Sequence, residues 1–186
     1  MDSGQREVAR RLEFRTLRGA GTSRPCKCWS TMTVLSIKLA SLDDIELLTA
    51  HYRALWESYG VPDENIRDDA ENIVRDFILD GWANRHLGAF LAMLDYRVVG
   101  SSMCEIERLP YPSLPKPQYR QHGYIWSVYV EPEARRQGVA AQLVSSALDH
   151  LRAIGCTTAV LHASAAGKSV YETAGFRAGP EMRLDL

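Results

Sequence analysis

The chain has 186 residues, 46% of them hydrophobic and 24% charged, with a formal net charge of -1. That suits one ordinary globular domain and is too short for two. The near-zero charge excludes a global field for nucleic acid or an anionic membrane, and no apolar run approaches the ~20 residues of a membrane-spanning helix.

Four cysteines occur, Cys26, Cys28, Cys104 and Cys156. The first two form Cys-x-Cys with no second pair at zinc-finger spacing, so no metal site is expected. The chain can build a real core and shows no secretory signal, which points to reduced thiols and a cytoplasmic protein.

Residues 1–31 are rich in Arg, Gly, Ser and Thr and carry no sustained periodicity. They are expected to be a poorly structured N-terminal extension, with the folded domain at 32–186. "VLSIKLA" alternates as a strand does. A helix follows, with Ser41 as cap, Asp44 three residues on, and Gly60 as stop. "DENIRDDAENIVRDFILDG" reads as a second amphipathic helix ended by Gly81. "HLGAFLAML" and "YRVVGSSMCEI" read as strands joined by a tight turn around Asp95. "LPYPSLPKPQYRQHG" is a proline-rich loop of the kind that borders binding sites. "YIWSVYVE" is strongly β-prone.

A long helix is expected from Ala134 to about Ile154, closed by Gly155. "CTTAVLHAS" reads as a strand, "AGKSVYETAG" as a short helix ending at Gly175, and "FRAGPEMRLDL" as terminal β structure. The order β, α, α, β, β, β, α, β, α, β makes one mixed α/β (α+β) domain.

The hand-over "VEPEARRQGVAAQLVSSAL", residues 130–148, carries the chemistry. The first turn of a helix leaves backbone N–H groups unpartnered, and their partial positive charge suits an anion. Gly138 lets a ligand approach the backbone closely. Arg135 and Arg136 add charge-assisted donors. The set matches a pyrophosphate. Two familiar phosphate loops fit badly. "AGKS" at 166–169 has only the tail of a Walker loop, since His162 stands where its first glycine belongs, and no Gly-x-Gly-x-x-Gly follows the first strand.

Arg135-x-x-Gly138-x-Ala140 resembles the Gln/Arg-x-x-Gly-x-Gly/Ala signature of the GNAT N-acetyltransferase superfamily. "YETAGF", Tyr171 to Phe176, resembles the family's second mark. The resemblance covers roughly Met32 to Leu186. It implies a central twisted mixed sheet flanked by helices, with a splay between the fourth and fifth strands. It implies acetyl-CoA as cosubstrate, its pantetheine arm pairing with the fourth strand at Val128, Tyr129 and Val130. It implies pyrophosphate contacts by Arg135, Arg136, Gln137, Gly138, Val139, Ala140 and Ala141. Ser164 stands where the family often has a cofactor-supporting Asn.

The implied reaction is direct acetyl transfer to an amine of a small molecule or a protein. Tyr171 matches the family's thiolate-facing tyrosine, and a phenol is a suitable donor. The positions where the family often puts a base are Tyr124 and Trp126; neither side chain is a good base, and both are read here as substrate-binding. His122, Glu105 and a water-mediated route remain open as the base; His162 is read as structural. Trp56, Tyr59, Tyr111, Tyr119 and Trp126 are candidate pocket walls. A non-catalytic CoA-binding module is the alternative. Family members are often dimers, which leaves a homodimer open.

Overall fold

The computed structural model describes residues 34–184. The extension expected at 1–31, with Cys26 and Cys28, lies outside them. The first strand is β1 (Leu35–Leu39). A 3-10 turn (Leu42–Asp44) leads into α1 (Ile45–Ser58). The Asp44 carboxylate accepts the Ser41 backbone N–H at 2.9 Å, so the Ser41 and Asp44 spacing caps the 3-10 turn that leads into α1.

The second helix, α2 (Ala70–Asn84), begins later and ends later than expected. Residues 63–65 form only a 3-10 turn, and Ile66 is extended, which breaks the helical run. Gly81 does not stop the helix. A Cβ there would stand 2.9 Å from Glu105 Oε2 and 3.1 Å from Leu87 Cβ, so this glycine serves a close approach.

β2 (Gly88–Leu94) and β3 (Arg97–Ile106) pair through a two-residue turn. Asp95 and Tyr96 both have positive φ, 46° and 67°, as a type I′ hairpin turn requires. β4 (His122–Val130) follows the proline-rich loop, then α3 (Val139–Ala153), β5 (Thr158–Val160) and α4 (Lys168–Thr173). The sheet runs β1-β2-β3-β4-β5, antiparallel except for the parallel β4–β5 pair. Among the described residues the expected C-terminal strand is absent: 176–184 hold no regular structure.

Alternation along the strands divides the core. Phe90, Ala92, Cys104 and Ile125 pack with Val139, Leu143, Ala147 and Leu151 of α3. Ala89, Leu91 and Met103 pack on the opposite face with Leu48 of α1 and Ile78 of α2. β4 and α3 meet tightly: a Cβ at Gly123 would stand 2.4 Å from Leu151 Cδ2. Cys104 and Cys156 form no disulfide among the described residues, and burial pushes the Cys104 thiol up to about 12. No helix among the described residues is long and apolar enough to cross a membrane.

Candidate active site

β4 and β5 share three rungs, His122–Thr158, Gly123–Ala159 and Tyr124–Val160. Past Tyr124 the strands part. β4 runs on to Val130 while pairing with β3 on its other side, so among the described residues its β5-facing edge has no strand partner there. The expected splay is this opening.

A β-bulge shapes the open edge. Met103 faces Trp126 and Ser101 faces Tyr129, so Ser127 and Val128 together oppose Ser102. Ser127 takes φ +53°, a left-handed conformation that supplies the extra residue. The bulge shifts the alternation by one. Val128 and Val130 therefore join the α3 core. Trp126 packs with the α1–α2 core, and Tyr129 lies 4.9 Å from the His51 ring of α1. The Val128 and Val130 side chains are thus turned into the α3 core.

The turn between β4 and α3 uses two left-handed residues, Arg136 at φ +62° and Gly138 at φ +81°. This pushes the helix start from the expected Ala134 to Val139, after a 3-10 turn at Pro132–Ala134. Gly138 is the N-cap of α3, with no capping side chain and no acidic residue in the first turn. The N–H groups of Val139, Ala140 and Ala141 thus stay available for an anion. Gln137 is fixed by its side-chain amide, which donates to Glu133 O at 2.9 Å. Arg135 is partly committed: its Nε donates to Val130 O at 3.0 Å, which ties the turn to the end of β4.

Tyr171 lies on α4, half-buried. Burial pushes its phenol up to about 12, with Tyr59, the residue after α1, adding to the effect. The ring packs edge-on to Phe176 at 6.0 Å. Gly167 is small for this ring: a Cβ there would stand 3.0 Å from Tyr171 Cε2. Ser164 does local work, its Oγ accepting the Gly167 N–H at 3.2 Å at the start of α4. Its hydroxyl hydrogen stays available as a donor.

The two candidate bases named by the sequence are both engaged. His122 has Nδ1 3.0 Å from Glu107 Oε2, and its Nε2 accepts the Arg120 Nε–H at 3.1 Å. Glu105 is buried, with Oε2 facing Arg85 Nε at 3.0 Å. The imidazole at the opening is His162, which the sequence reading treats as structural. Its Nδ1 bonds the Tyr124 hydroxyl, and its Nε2 lies 2.8 Å from Glu181 Oε2.

A cavity of about 290 Å³ lies between α1 and α2, walled by Tyr52, Trp56, Val61, Ile66, Ile73 and Val74. Tyr52 joins it to β4, meeting Trp126 edge-on at 5.6 Å. Of the expected pocket walls, Trp56 and Trp126 fall on this aromatic path, and Tyr59 meets Trp56 at 5.9 Å. Tyr111 and Tyr119 are exposed on the proline-rich loop and line no part of the cavity.

Comparison with known proteins matches this architecture. A GCN5-related N-acetyltransferase from Ralstonia eutropha JMP134 superposes with TM-score 0.69 at 23% identity, over 82% of this chain and 99% of that one. A predicted acetyltransferase from Clostridium acetobutylicum, solved with acetyl-CoA, gives TM-score 0.68 at 23% identity, over 82% and 96% of the two chains. The aminoglycoside N-acetyltransferase AAC(6')-Iy, in complex with a CoA bisubstrate analogue, gives 0.62 at 21%, over 82% and 97%. Among curated proteins no sequence match reaches significance. At these identities the structural likenesses show the fold. The assignment itself comes from the family model for the acetyltransferase (GNAT) family, which matches residues 48–176. With a five-stranded sheet that opens between β4 and β5 where the signature turn begins α3, the chain belongs to the GNAT acetyltransferase family.

Proposed function

We propose that the protein transfers the acetyl group of acetyl-CoA directly to a primary amine of a small molecule or a protein. As a GNAT acyltransferase it uses acetyl-CoA. One observation carries the finer reading: the unpaired edge of β4 runs from Tyr124 to an uncapped helix start, with Tyr171 on α4 beyond β5. An extended amide-bearing arm suits the edge and a pyrophosphate suits the helix start. In this reading the backbone of Val128, Tyr129 and Val130 holds the arm. Arg136, Gln137 and the N–H groups from Gly138 to Ala141 hold the phosphates, with Arg135 bracing the turn. Ser164 donates its remaining hydrogen.

Acetyl-CoA supplies an activated acyl thioester. A phenol is protonated at neutral pH, and burial extends this into the alkaline range, so the Tyr171 hydroxyl can donate to the departing sulfur. Tyr124 and Trp126 line the acceptor side. The apolar cavity between α1 and α2 favours an acceptor whose amine is attached to an aromatic or aliphatic body. The bisubstrate complex of AAC(6')-Iy supports an amine acceptor by analogy of fold. A cytoplasmic location, a homodimer and an N-terminal extension outside the catalytic unit belong to the same reading.

The test is turnover. The full chain is incubated with acetyl-CoA and phenethylamine, spermidine, glucosamine or a lysine-containing peptide, following free thiol and product mass. The expected result is thiol release with an acetyl amide on at least one amine. Binding of acetyl-CoA with no acetylated amine would favour a CoA-binding module without catalysis.

A further inference from the structure

The opening between β4 and β5 carries a chain of three polar side chains. Tyr124 stands on the last shared rung, opposite Val160. His162 follows two residues after that rung, where β5 has ended. Glu181 comes from the segment after α4. The contacts run Tyr124 hydroxyl to His162 Nδ1, then His162 Nε2 to Glu181 Oε2 at 2.8 Å. Arg183 Nε donates to the other Glu181 oxygen at 2.8 Å, which holds the carboxylate in place.

The partners dictate where the hydrogens lie. An ionised carboxylate only accepts, so the imidazole nitrogen facing Glu181 must carry a hydrogen. A neutral imidazole has one N–H, which makes Nδ1 the acceptor and the Tyr124 hydroxyl its donor. The Tyr124 oxygen therefore keeps a free lone pair. Tyr124 lies among acidic and aromatic neighbours. Burial raises its phenol, with Glu107, Glu181 and Tyr52 adding to the rise, while Arg183 lies near enough to feel its charge.

We propose that Tyr124 takes a proton from the acceptor ammonium and passes its own to His162, with Glu181 orienting the imidazole and stabilising its charged form. This rests on the amine-acetylation reading above. An ammonium group with a pKa near ~10 is mostly protonated at neutral pH and cannot attack. Its three hydrogens are accounted for in turn. One goes to the Tyr124 oxygen as the Tyr124 hydrogen moves to His162 Nδ1, and leaves to water from the half-exposed imidazole. The neutral amine then forms the C–N bond as the thioester C–S bond breaks. The departing thiolate takes the Tyr171 hydroxyl hydrogen, the second ammonium hydrogen leaves the newly bonded nitrogen to solvent, from which Tyr171 is reprotonated, and the third stays on the amide. Tyr124 is the catalytic group; His162 and Glu181 act through it and are positioning residues.

The experiment uses the full chain with acetyl-CoA and an amine acetylated in the turnover panel, phenethylamine first. For His162→Gln and Tyr124→Phe, kcat/KM at pH 7 is expected to fall about 100-fold. The deficit should shrink steadily toward pH 9.5, where more of the amine arrives neutral. Stabilisation by acetyl-CoA should be unchanged in both variants, which reports correct folding. In the wild-type protein, 15N NMR should show His162 as the Nε2–H tautomer. A pH-independent deficit, wild-type rates in both variants, or an Nδ1–H tautomer would overturn the relay and leave the acetyltransferase reading intact. If no amine is acetylated, that reading falls and the relay with it; acetyl-CoA stabilisation alone would then leave only cofactor binding.

Discussion

Tyr171→Phe is expected to lower kcat by about 10²- to 10⁴-fold, the range for loss of a positioned proton donor. KM for acetyl-CoA should hardly change, because the lost interaction is made to a sulfur that becomes charged only as the bond breaks. The substitution is clean in this site. The ring keeps its edge-on contact with Phe176 and its seat against Gly167, so only the hydroxyl is removed. Because burial pushes the phenol up to about 12, the wild-type donor stays protonated through the neutral and alkaline range. Any fall in wild-type kcat between pH 8 and 10 should therefore persist in Tyr171→Phe. Steady-state kinetics with both substrates varied reads all three quantities. Equal kcat in variant and wild type would remove Tyr171 from the chemistry.

The second large effect is on stability. Arg85→Met is expected to destabilise the fold by about 3–5 kcal/mol, since it strands a buried carboxylate. Arg85 closes α2 with a buried side chain. Its guanidinium contacts Asp80, donates to Phe77 O at 2.9 Å and lies 4.5 Å above the Phe77 ring. Its Nε faces Glu105 Oε2 at 3.0 Å, but the N–H does not aim along that line, so the contact is Coulombic more than a directed hydrogen bond. Burial already raises the Glu105 carboxyl above its ordinary value, with Arg85 opposing.

Without Arg85 that rise grows. A carboxyl with a raised folded-state pKa contributes stability that is present below its unfolded pKa, near ~4.3, and lost as pH rises through the folded value. The gap between Arg85→Met and wild type should therefore be widest at neutral pH and narrow below about pH 4.5. The double variant Arg85→Met with Glu105→Leu should recover most of the loss, because a buried pair replaced by apolar side chains is often neutral. Urea melts at pH 7 and pH 4.5 test both statements. A loss independent of pH, or no recovery in the double variant, would show that Arg85 acts through packing alone.

The parts of the site legible in the sequence were those that chemistry marks locally. The Arg135-x-x-Gly138 spacing located the turn because a left-handed N-cap favours glycine, and Gly138 has φ +81°. Strand alternation placed β2, β3 and β4. The short helix that carries Tyr171 was legible from the glycine that follows it, Gly175.

What stayed hidden depends on tertiary contact. Gly81 looked like a helix stop, yet it exists for the approach of Glu105 and Leu87. The bulge at Ser127 has no glycine to announce it, and neither does the left-handed Arg136 that delays α3. The sequence leaves His122 and Glu105 open as bases and does not show that Arg120, Glu107 and Arg85 engage them. His162 had no local mark at all. Its partners lie 38 residues before and 19 residues after it, and the Tyr124–Val160 rung of β4 and β5 places the first of them beside it.

Thermal unfolding reads whether the β4 edge and the start of α3 hold acetyl-CoA. The full chain is melted with acetyl-CoA, CoA, ATP or NAD, each in excess. A ligand at ~100 times its dissociation constant adds about 2.7 kcal/mol, a shift of several degrees for a domain of this size. Acetyl-CoA and CoA are expected to raise the melting temperature, while ATP and NAD leave it unchanged. No response to either CoA species, or an equal response to all four, would contradict the account.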